Sequence, residues 1–298
     1  MSVWLPTAPC TPRRCAPPPP PGAAAGRTRA ALRLAAGLLA VLAGVALSPL
    51  AVPLRPAGRH VLVRLWCRTV LRAFGLRVRV IGTPPPGPHL VVANHISWLD
   101  VPLVAAVLPG RTVAKREVRH WPVLGPLAAL GGTLFLDRDR LRTLPALVRD
   151  MARALAAGSR VVVFPEGSTW CGRAQGRFRP AAFQAALDAG APVQPVRITY
   201  RPLGPAAFVG DDPLTASLWR IATARRLTAE VRLLAPVSAG RHPDRRALAR
   251  AAQAAVAGRT PVAPHTAVDS DSANHPFPSV HQCRNSSPAP ASSAATPA

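Results

Sequence analysis

The chain has 298 residues, 49% of them apolar, and its 37 basic and 13 acidic side chains give a formal net charge of +24. This length and apolar share are sufficient for a folded core, which excludes a wholly disordered protein and allows one large domain or two small ones. The charge predicts a polyanionic partner, either nucleic acid or an anionic membrane surface. The aromatic content of 5% argues against a platform that stacks single-stranded nucleic acid.

The five cysteines show no pairing pattern. They are Cys10, Cys15, Cys67, Cys171 and Cys283, with no C-x-x-C pair among them. An odd, scattered set supports neither a zinc site nor a disulfide framework. We therefore predict a reducing compartment and no bound metal.

The two ends of the chain are biased in composition. Residues 1–28 contain five consecutive prolines, and residues 259–298 are rich in proline, serine and alanine. Such segments bury too little apolar surface to offset the entropy lost on ordering. Both ends are therefore predicted to be disordered.

Residues 29–75 are predicted to anchor the protein to a membrane. Residues 34–54 carry no charge, and as a 21-residue helix they would reach about 31 Å, close to the roughly 30 Å of a bilayer's hydrocarbon core. Pro49 and Pro53 are expected to shorten the helical part. The shorter run, residues 34–47, also fits the apolar region of a secretory signal peptide, which leaves export as an alternative. The basic residues that would precede it are Arg27, Arg29 and Arg33.

The second half of this segment, "HVLVRLWCRTVLRAFG" at residues 60–75, is predicted to be an amphipathic helix. Arg64, Arg68 and Arg72 recur every four residues, apolar residues surround them, and Gly75 ends the helix. Arginines flank the apolar run on both sides, which fits a segment that dips into the membrane and returns. The alternative is a core helix of the globular domain.

Residues 76–258 alternate short β-branched runs with helical stretches, which is typical of an α/β domain. The expected fold is a mixed, mostly parallel sheet flanked by helices. Strands are predicted at residues 76–81, 90–93, 112–114, 133–136, 160–164, 193–199 and 230–234. Helices are predicted near residues 98–108, 144–157, 180–189, 214–226 and 243–257.

The stretch "NHISWLD", residues 94–100, holds the first candidate site. His95 and Asp100 would be about 140° apart on a regular helix, so they can meet only if His95 stays in a loop before a helix that begins near Ser97. Asp100 would then turn back and accept from one ring nitrogen, leaving the other to take a proton from a substrate hydroxyl. The alternative is that Ser97 and Asp100 form a capping box and His95 is an ordinary loop residue.

Three further segments complete a pattern. "GTLFLDR" at 132–138 and "VVVFPEGST" at 161–169 are strands followed by charged residues, and "PVQPVRI" at 192–198 is a strand interrupted by proline. In order with "NHISWLD", they resemble the four blocks of the glycerolipid acyltransferase family, the PlsC-type lysophosphatidic acid (1-acylglycerol-3-phosphate) acyltransferases. The blocks are N-H-x4-D, G-x-x-F-x-D-R, F-P-E-G and a proline-containing strand. The resemblance covers about residues 60–240.

The resemblance implies a direct acyl transfer in a catalytic domain spanning residues 76–258. His95 would be the general base that deprotonates an acceptor hydroxyl, which then attacks an acyl thioester carbonyl, and Asp100 would orient the imidazole. Asn94, in the same block, is expected on the substrate side. No covalent acyl-enzyme is implied, and the chain contains no G-x-S-x-G nucleophile elbow.

The same resemblance assigns substrate-binding residues. Lys115 and Arg138 would hold the acceptor's phosphate, and Lys115 stands out as the chain's only lysine. Glu166 and Gly167 would shape the acceptor pocket, and Pro195 belongs to the last block. The alternatives are solvated surface charges for the two cations and a helix N-terminal carboxylate for Glu166.

One departure from the family pattern concerns the acceptor. The third block usually continues F-P-E-G-T-R, whereas Ser168 and Thr169 follow the glycine here and the arginine is missing. Arg173, Arg177 and Arg179 lie just downstream and are candidates to replace it. The identity of the acceptor therefore stays open.

The expected protein is an acyltransferase at the cytoplasmic face of the cell membrane. It would move a fatty acyl group from acyl-CoA or acyl carrier protein to the free hydroxyl of lysophosphatidic acid, giving phosphatidic acid. It is expected to need no cofactor and to bind an anionic membrane surface rather than nucleic acid. Close alternatives are other acceptors, such as glycerol 3-phosphate or an amino-acid-containing lysolipid. Alternatives of another class are a non-catalytic anion- or nucleic-acid-binding protein and a secreted hydrolase.

Overall fold

The computed structural model describes residues 8–16, 24–122, 124–137 and 140–258, which all belong to one compact unit spanning residues 1–261. The disorder predicted for residues 1–7, 17–23 and 259–298 concerns residues outside the described part. Within the N-terminal region, helix α1 covers Pro12–Cys15 and helix α2 begins at Ala24. The predicted boundary at residue 28 is therefore too late, because the alanine-rich stretch before it favours helix.

A single sheet organises the described chain. Its strands are β1 Leu76–Ile81, β2 Leu90–Ala93, β3 Arg111–Lys115, β4 Leu134–Leu136, β5 Val161–Val163, β6 Val193–Arg201 and β7 Leu227–Leu233. Their order in the sheet is β1, β7, β6, β2, β5, β3, β4. Neighbouring strands run parallel except for β6 and β7, which are antiparallel. The predicted mixed, mostly parallel sheet is confirmed.

Helices cover both faces of the sheet. Against one face lie α3 Pro56–Ala73, α4 Asp100–Ala105 and α9 Leu214–Thr223. Against the other lie α6 Leu144–Ala156, α7 Ala181–Asp188 and α10 Arg245–Ala257. The remaining described helices are α1, α2 Ala24–Leu47, α5 Leu124–Leu130 and α8 Leu203–Ala206. The sequence did not predict α5 or α8, because runs this short carry little periodicity.

Strand β2 lies near the centre of the sheet and is buried on both faces. Its four residues have no solvent exposure, and they alternate between the two hydrophobic clusters that line the faces. A continuous apolar run is what a parallel strand covered on both sides requires. Because β2, β5, β3 and β4 are parallel, their carboxyl ends lie along one edge of the sheet. The predicted site residues follow these ends.

Helices α2 and α3 pack together through glycines on α2. An added Cβ would lie 2.1 Å from Trp66 Nε1 at Gly44 and 2.6 Å from Phe74 Cζ at Gly37. Trp66 Nε1 also donates to the carbonyl of Ala40, at 2.8 Å. Glycine therefore permits an approach between the helices that a larger residue would block.

Helix α2 is long and apolar enough to cross a membrane. Its 24 residues reach about 36 Å, and the candidate span Gly26–Ala51 has a mean hydropathy of 2.2. Length and composition alone support this assignment, and a signal sequence near the N-terminus meets the same criteria. The helix ends at Leu47, before a 3₁₀ turn at Ser48–Ala51, as the proline at position 49 predicted.

Helix α3 has one face in the core and one face exposed. Cys67, Val70 and Leu71 are buried against the sheet, so the core-helix alternative is correct for this face. Val61 and Leu65 are more than half exposed, at 53% and 55%. The exposed leucines of α2 are Leu32, Leu38, Leu39, Leu42 and Leu47. Large apolar side chains exposed at this density fit contact with lipid.

Arg33 connects α2 to α9. Its Nη1 donates to the carbonyls of Ala222 and Ala224, at 3.0 and 2.6 Å. Both carbonyls lie at the C-terminal end of α9, where unpaired C=O groups favour a cation. The pair of helices α2 and α3 is therefore joined to the sheet domain at two places, through this cap and through the buried face of α3.

Replacing Gly44 with alanine is expected to destabilise the protein by about 1–3 kcal/mol, the usual cost of overpacking. The new Cβ would overlap the indole of Trp66, which is already hydrogen-bonded to Ala40. Thermal unfolding in detergent, followed by tryptophan fluorescence, measures the effect. Gly26→Ala in the same helix is the matched control, because no atom lies within 4 Å of its added Cβ. Equal unfolding temperatures for the two variants would contradict the close packing.

Candidate active site

The candidate site lies where β2 and β5 end side by side. Val92 pairs with Val163 in parallel register, so the segments after the two strands emerge at the same edge. The loop after β2 carries His95, and the turn after β5 carries Glu166. The main-chain N–H of His95 donates to Glu166 Oε2 at 2.9 Å. This bond joins the two segments directly.

His95 and Asp100 form the predicted hydrogen-bonded pair. His95 Nδ1 and Asp100 Oδ2 are 2.9 Å apart. The same oxygen accepts from the backbone N–H groups of Ile96 and Ser97, at 2.6 and 2.9 Å. These bonds hold the loop in a turn, so α4 begins at Asp100 itself rather than near Ser97. Asp100 thus caps the loop, as the alternative prediction had it, and also binds the imidazole.

A tyrosine that sequence reasoning missed completes the support of Asp100. Tyr200 on β6 is buried and donates its hydroxyl to Asp100 Oδ1 at 2.6 Å. The pKa of Tyr200 lies well above its ordinary value, mainly because the residue is buried and also because Asp100 is charged. The Tyr200 hydroxyl therefore keeps its proton and donates it in the hydrogen bond. The available signal in the sequence was that Tyr200 is the chain's single tyrosine and directly follows a predicted strand.

The imidazole of His95 is held between Asp100 and Phe164. It stacks on the Phe164 ring with centroids 4.3 Å apart and planes at 22°. The side chain is 19% exposed, and within the described part of the chain its Nε2 makes no hydrogen bond. With Nδ1 protonated toward the carboxylate, Nε2 carries the lone pair. The arrangement can therefore accept a proton from a ligand hydroxyl at Nε2.

Asn94 is engaged by the protein itself. Its Nδ2 donates to the carbonyl of Ile198 at 2.9 Å, and its Oδ1 accepts from the N–H of Ile198 at 2.8 Å. The side chain is buried, and this two-way bond ties the start of the His95 loop to β6. Asn94 therefore positions the loop. Its predicted contact with substrate stays a prediction.

Glu166 is buried beneath the His95 loop. Its Oε2 accepts from the His95 N–H, and its Oε1 accepts from the Gly176 N–H at 3.1 Å. Burial raises the pKa of Glu166 to about 8, helped by the charge of Asp100 and opposed by these two bonds. The residue does not lie at a helix N-terminus, since α7 begins at Ala181, and that alternative is wrong. Glu166 holds the main chain of His95 in place.

Gly167 closes the turn after β5. Its N–H donates to the carbonyl of Phe164 at 3.1 Å, and its φ of 75° lies in the left-handed region that favours glycine. The N–H of Trp170, three residues on, donates to the His95 carbonyl at 2.7 Å. The turn is therefore bonded to His95 from both sides of Gly167.

Glu166 is expected to make the stability of the protein fall as pH rises. Its folded pKa of about 8 exceeds the ordinary value of 4.5, so the contribution of its proton to stability is fully present below pH 4.5 and is lost as pH rises to about 8. Denaturation midpoints measured across this window check the expectation. The control is Glu166→Gln, which cannot titrate, and the wild type should lose stability relative to it as pH rises. A difference that does not change with pH would contradict the assignment.

The predicted phosphate-binding residues lie partly outside the described structure. Lys115 ends β3 at the same sheet edge as His95 and is exposed. Arg138 is not among the described residues. Arg116 Nη1 and Asp137 Oδ2 are 2.8 Å apart, and this ion pair links the ends of β3 and β4. The role of Lys115 and Arg138 in binding phosphate stays a prediction.

Pro195 lies inside the sheet rather than at its edge. It is buried and pairs with Val92, and its carbonyl accepts from the N–H of Leu234 at 3.1 Å. Pro195 therefore contributes to the packing and hydrogen bonding of the sheet, and its contact with substrate stays a prediction.

The arginines downstream of the third block are all exposed: Arg173, Arg177 and Arg179.

Comparison with known proteins identifies the family. A family model described as Acyltransferase matches residues 77–199, which include His95, Asp100 and Glu166. The lyso-ornithine lipid O-acyltransferase of Pseudomonas aeruginosa is 40% identical over 206 residues, which cover 66% of this chain and 78% of that protein. The chain belongs to the acyltransferase family.

Further members of the acyltransferase family agree with this assignment. The 1-acyl-sn-glycerol-3-phosphate acyltransferase of Neisseria meningitidis serogroup B is 36% identical over 189 residues, or 61% of this chain and 73% of that protein. The crystal structure of PlsC from Thermotoga maritima has a TM-score of 0.61 at 19% identity and covers 78% of this chain and 95% of its own. The predicted family, fold class and acyltransferase activity are confirmed. The roles of individual site residues stay predictions.

Proposed function

We propose that this acyltransferase moves a fatty acyl group from acyl-CoA or acyl carrier protein to the free hydroxyl of lysophosphatidic acid, giving phosphatidic acid. The observation that carries the proposal is the His95–Asp100 pair, in which Nδ1 binds the carboxylate and Nε2 is left to accept a proton. The neisserial relative, named a 1-acyl-sn-glycerol-3-phosphate acyltransferase, supports this acceptor.

The reaction in this proposal is a direct transfer. Nε2 of His95 takes the proton of the acceptor hydroxyl while the hydroxyl oxygen bonds to the thioester carbonyl carbon. The tetrahedral intermediate then expels the donor's thiolate, which takes the proton from the imidazolium. Asp100 stabilises the imidazolium through its charge, and Glu166 keeps the main chain of His95 in place.

The acceptor's phosphate would bind along the sheet edge that carries His95. Lys115 supplies an ammonium at the end of β3, and Arg138 follows β4 by two residues, so both segments end at this edge. Two cations suit a phosphate monoester, since a hydrogen bond to a charged group contributes about 1.5–3 kcal/mol.

The third sequence block favours a second candidate acceptor. Thr169 stands where the family usually has arginine, which removes one cation from the site. The Pseudomonas relative at 40% identity is named a lyso-ornithine lipid O-acyltransferase. An amino-acid-containing lysolipid has no phosphate monoester and needs fewer cations. A lyso-ornithine lipid is therefore the second candidate.

The proposed location is the cytoplasmic face of the cell membrane. The exposed apolar side chains of α2 and α3 suit contact with acyl chains, and the arginines around these helices suit anionic headgroups. Both thioester donors are cytoplasmic molecules, so one membrane face would supply donor and acceptor.

Lys115→Ala is expected to raise the KM for lysophosphatidic acid by about 10–150-fold, the equivalent of one charge-assisted hydrogen bond, with little change in the KM for the donor. Lys115→Arg should also raise it, because a planar guanidinium does not reproduce a compact ammonium. The measurement is steady-state transfer by purified protein on a panel of lysolipids with both thioester donors. Arg250→Ala, on the exposed side of α10, controls for a general loss of positive charge.

The panel separates the candidate acceptors. We also expect at least one of Arg173, Arg177 and Arg179 to behave like Lys115 when replaced by alanine. A preference for lyso-ornithine lipid, with Lys115→Ala neutral on it, would replace the first acceptor by the second. Efficient transfer to glycerol 3-phosphate alone would overturn both acceptors and leave only the acyl-transfer chemistry.

A further inference from the structure

Three cysteines that are distant in sequence meet near the candidate active site. The Sγ atoms of Cys10, Cys15 and Cys171, named here the three-cysteine cluster, all lie within 4.8 Å of one another. The expectation that the cysteines form no metal-binding set rested on their spacing. Spacing could not reveal the cluster, because it forms only when residues 8–16 pack against the loop that follows β5.

Packing holds the N-terminal part of the cluster in place. Cys10 precedes helix α1 and Cys15 is its last residue, and the N–H of Cys15 donates to the Thr11 carbonyl at 3.0 Å. A Cβ at Gly210 would lie 3.2 Å from the Cys10 carbonyl oxygen, so this segment also contacts the chain after α8. The buried residues of the surrounding apolar cluster are Ala16, Cys171, Ala207 and Val209. Two separate segments thus present the thiols to one another.

The three thiols differ in acidity. Burial by itself raises the pKa of Cys171, but hydrogen bonds to its sulfur from the N–H groups of Arg173 and Ala174 and from the other two thiols lower that pKa overall. Burial raises the pKa of Cys10 to about 12 and also raises that of Cys15. Without a bound ion, the thiols of Cys10 and Cys15 therefore donate to the sulfur of Cys171.

We propose that the three-cysteine cluster binds one thiophilic divalent metal ion, with Zn²⁺ as the reference ion, through three thiolates. At the outer limit of 4.8 Å, the centre of the three sulfurs lies about 2.8 Å from each. Zn–S bonds measure about 2.3 Å, so each sulfur needs to move inward by about half an ångström. Binding converts three thiols into thiolates and releases their protons to solvent.

The surroundings suit the charge of such a centre. Three thiolates and one divalent ion carry a single net negative charge. Arg13 and Arg14 lie on α1, and Arg173 Nη1 donates to the Arg14 carbonyl at 3.4 Å. Among the described residues, no fourth thiol, imidazole or carboxylate joins the group. The fourth position of a tetrahedral ion would be open to water or a small ligand.

The segment that carries Cys171 contacts the His95 loop on both sides of the cysteine. Trp170, which precedes Cys171, donates its N–H to the His95 carbonyl at 2.7 Å. A Cβ at Gly172 would lie 3.1 Å from Ile96 Cδ1, so the residue after Cys171 packs on the residue after His95. A bound ion would tie the N-terminal segment to the loop that supports His95. Its role is to position this loop, and the inference does not depend on which lysolipid is the acceptor.

Cobalt substitution tests the site in full-length protein purified in detergent under reducing, metal-free conditions. One equivalent of Co²⁺ is expected to give the thiolate charge-transfer and visible bands of tetrahedral sulfur coordination, and one equivalent of Zn²⁺ should remove them. Metal analysis after Zn²⁺ loading should find one ion per chain. Binding should weaken as pH falls, because the thiols must lose their protons.

Substitutions identify the ligands. Cys10→Ser, Cys15→Ser and Cys171→Ser should each abolish the cobalt bands, whereas Cys67→Ala, a buried cysteine of α3 outside the cluster, should retain them. Zn²⁺ should raise the unfolding temperature of the wild type and of Cys67→Ala but not that of Cys10→Ser. Cys10→Ser is chosen for this comparison because Cys10 lies far in sequence from the His95 loop, so the substitution changes no residue of that loop.

Three results would overturn the metal site. The first is a set of cobalt bands that persists in all three serine variants. The second is binding that appears only with many equivalents of metal. The third is a disulfide between two of the three cysteines in freshly isolated protein, found by non-reducing peptide mass spectrometry, together with no metal uptake after reduction. That result would assign the cluster to redox chemistry instead.

Discussion

Replacing His95 with alanine is expected to lower kcat by about 10²–10⁴-fold, the usual loss when a general base is removed. Nε2 of His95 is the nitrogen left for the acceptor's proton, because Nδ1 is bound to Asp100. The side chain contributes little to the fold, since its ring is partly exposed and stacks on Phe164 at the sheet edge. The unfolding temperature should therefore stay close to that of the wild type. Release of free thiol from the donor measures the rate.

The control for this variant is His242→Ala. His242 follows a 3₁₀ turn at Ala239–Arg241 and lies outside the segments that form the candidate site. It should transfer acyl groups at the wild-type rate. If His95→Ala and His242→Ala were equally active, His95 would be an ordinary loop residue.

Asp100→Asn is expected to cause the second large loss, about 10²-fold or more in kcat, with little change in stability. Asparagine can place its carbonyl oxygen at the Oδ2 position, where the imidazole and two backbone N–H groups donate. Its amide group then faces the Tyr200 hydroxyl, which can become the acceptor. The loop can keep its shape while the negative charge that stabilises the imidazolium is lost.

Two further variants separate the effect of the Asp100 charge from the effect of its hydrogen bonds. Asp100→Ala removes the carboxylate's capping bonds as well, so it should lower both kcat and the unfolding temperature. Tyr200→Phe keeps the charge and removes one hydrogen bond, so it should lower stability more than kcat. An Asp100→Asn protein that unfolds early yet turns over at the wild-type rate would assign Asp100 to capping alone.

The positions of the central strands could be predicted because their burial is encoded locally. The apolar run at residues 90–93 matches β2 at both ends, since a strand covered on both faces must be apolar throughout. The start of β7 was harder to predict, although this strand lies between β1 and β6 in the sheet. β7 begins at Leu227, three residues before its predicted start, because pairing with β1 and β6 orders "LTA" as strand. Threonine favours strand but alanine does not, so these three residues carry only a weak strand signal of their own.

The candidate site could be predicted only as far as local spacing reaches. His95 and Asp100 are five residues apart, and their meeting followed from a loop placed before a helix. The bond from Tyr200 to Asp100 spans 100 residues, and the bond from the His95 N–H to Glu166 spans 71. Contacts of this kind depend on which strands are neighbours in the sheet, and one sequence does not show that order.

The attachment of α2 and α3 to the sheet domain affects how the enzyme meets its substrate. Cys67, Val70 and Leu71 of α3 are part of the core, and Arg33 of α2 caps α9. If α2 and α3 enter the membrane, as the proposed location requires, these attachments link the depth of the helices in lipid to the height of His95 above the bilayer. A lysolipid that stays in its leaflet would then react only if its hydroxyl extends to that height. Headgroup length would then select among acceptors independently of headgroup charge.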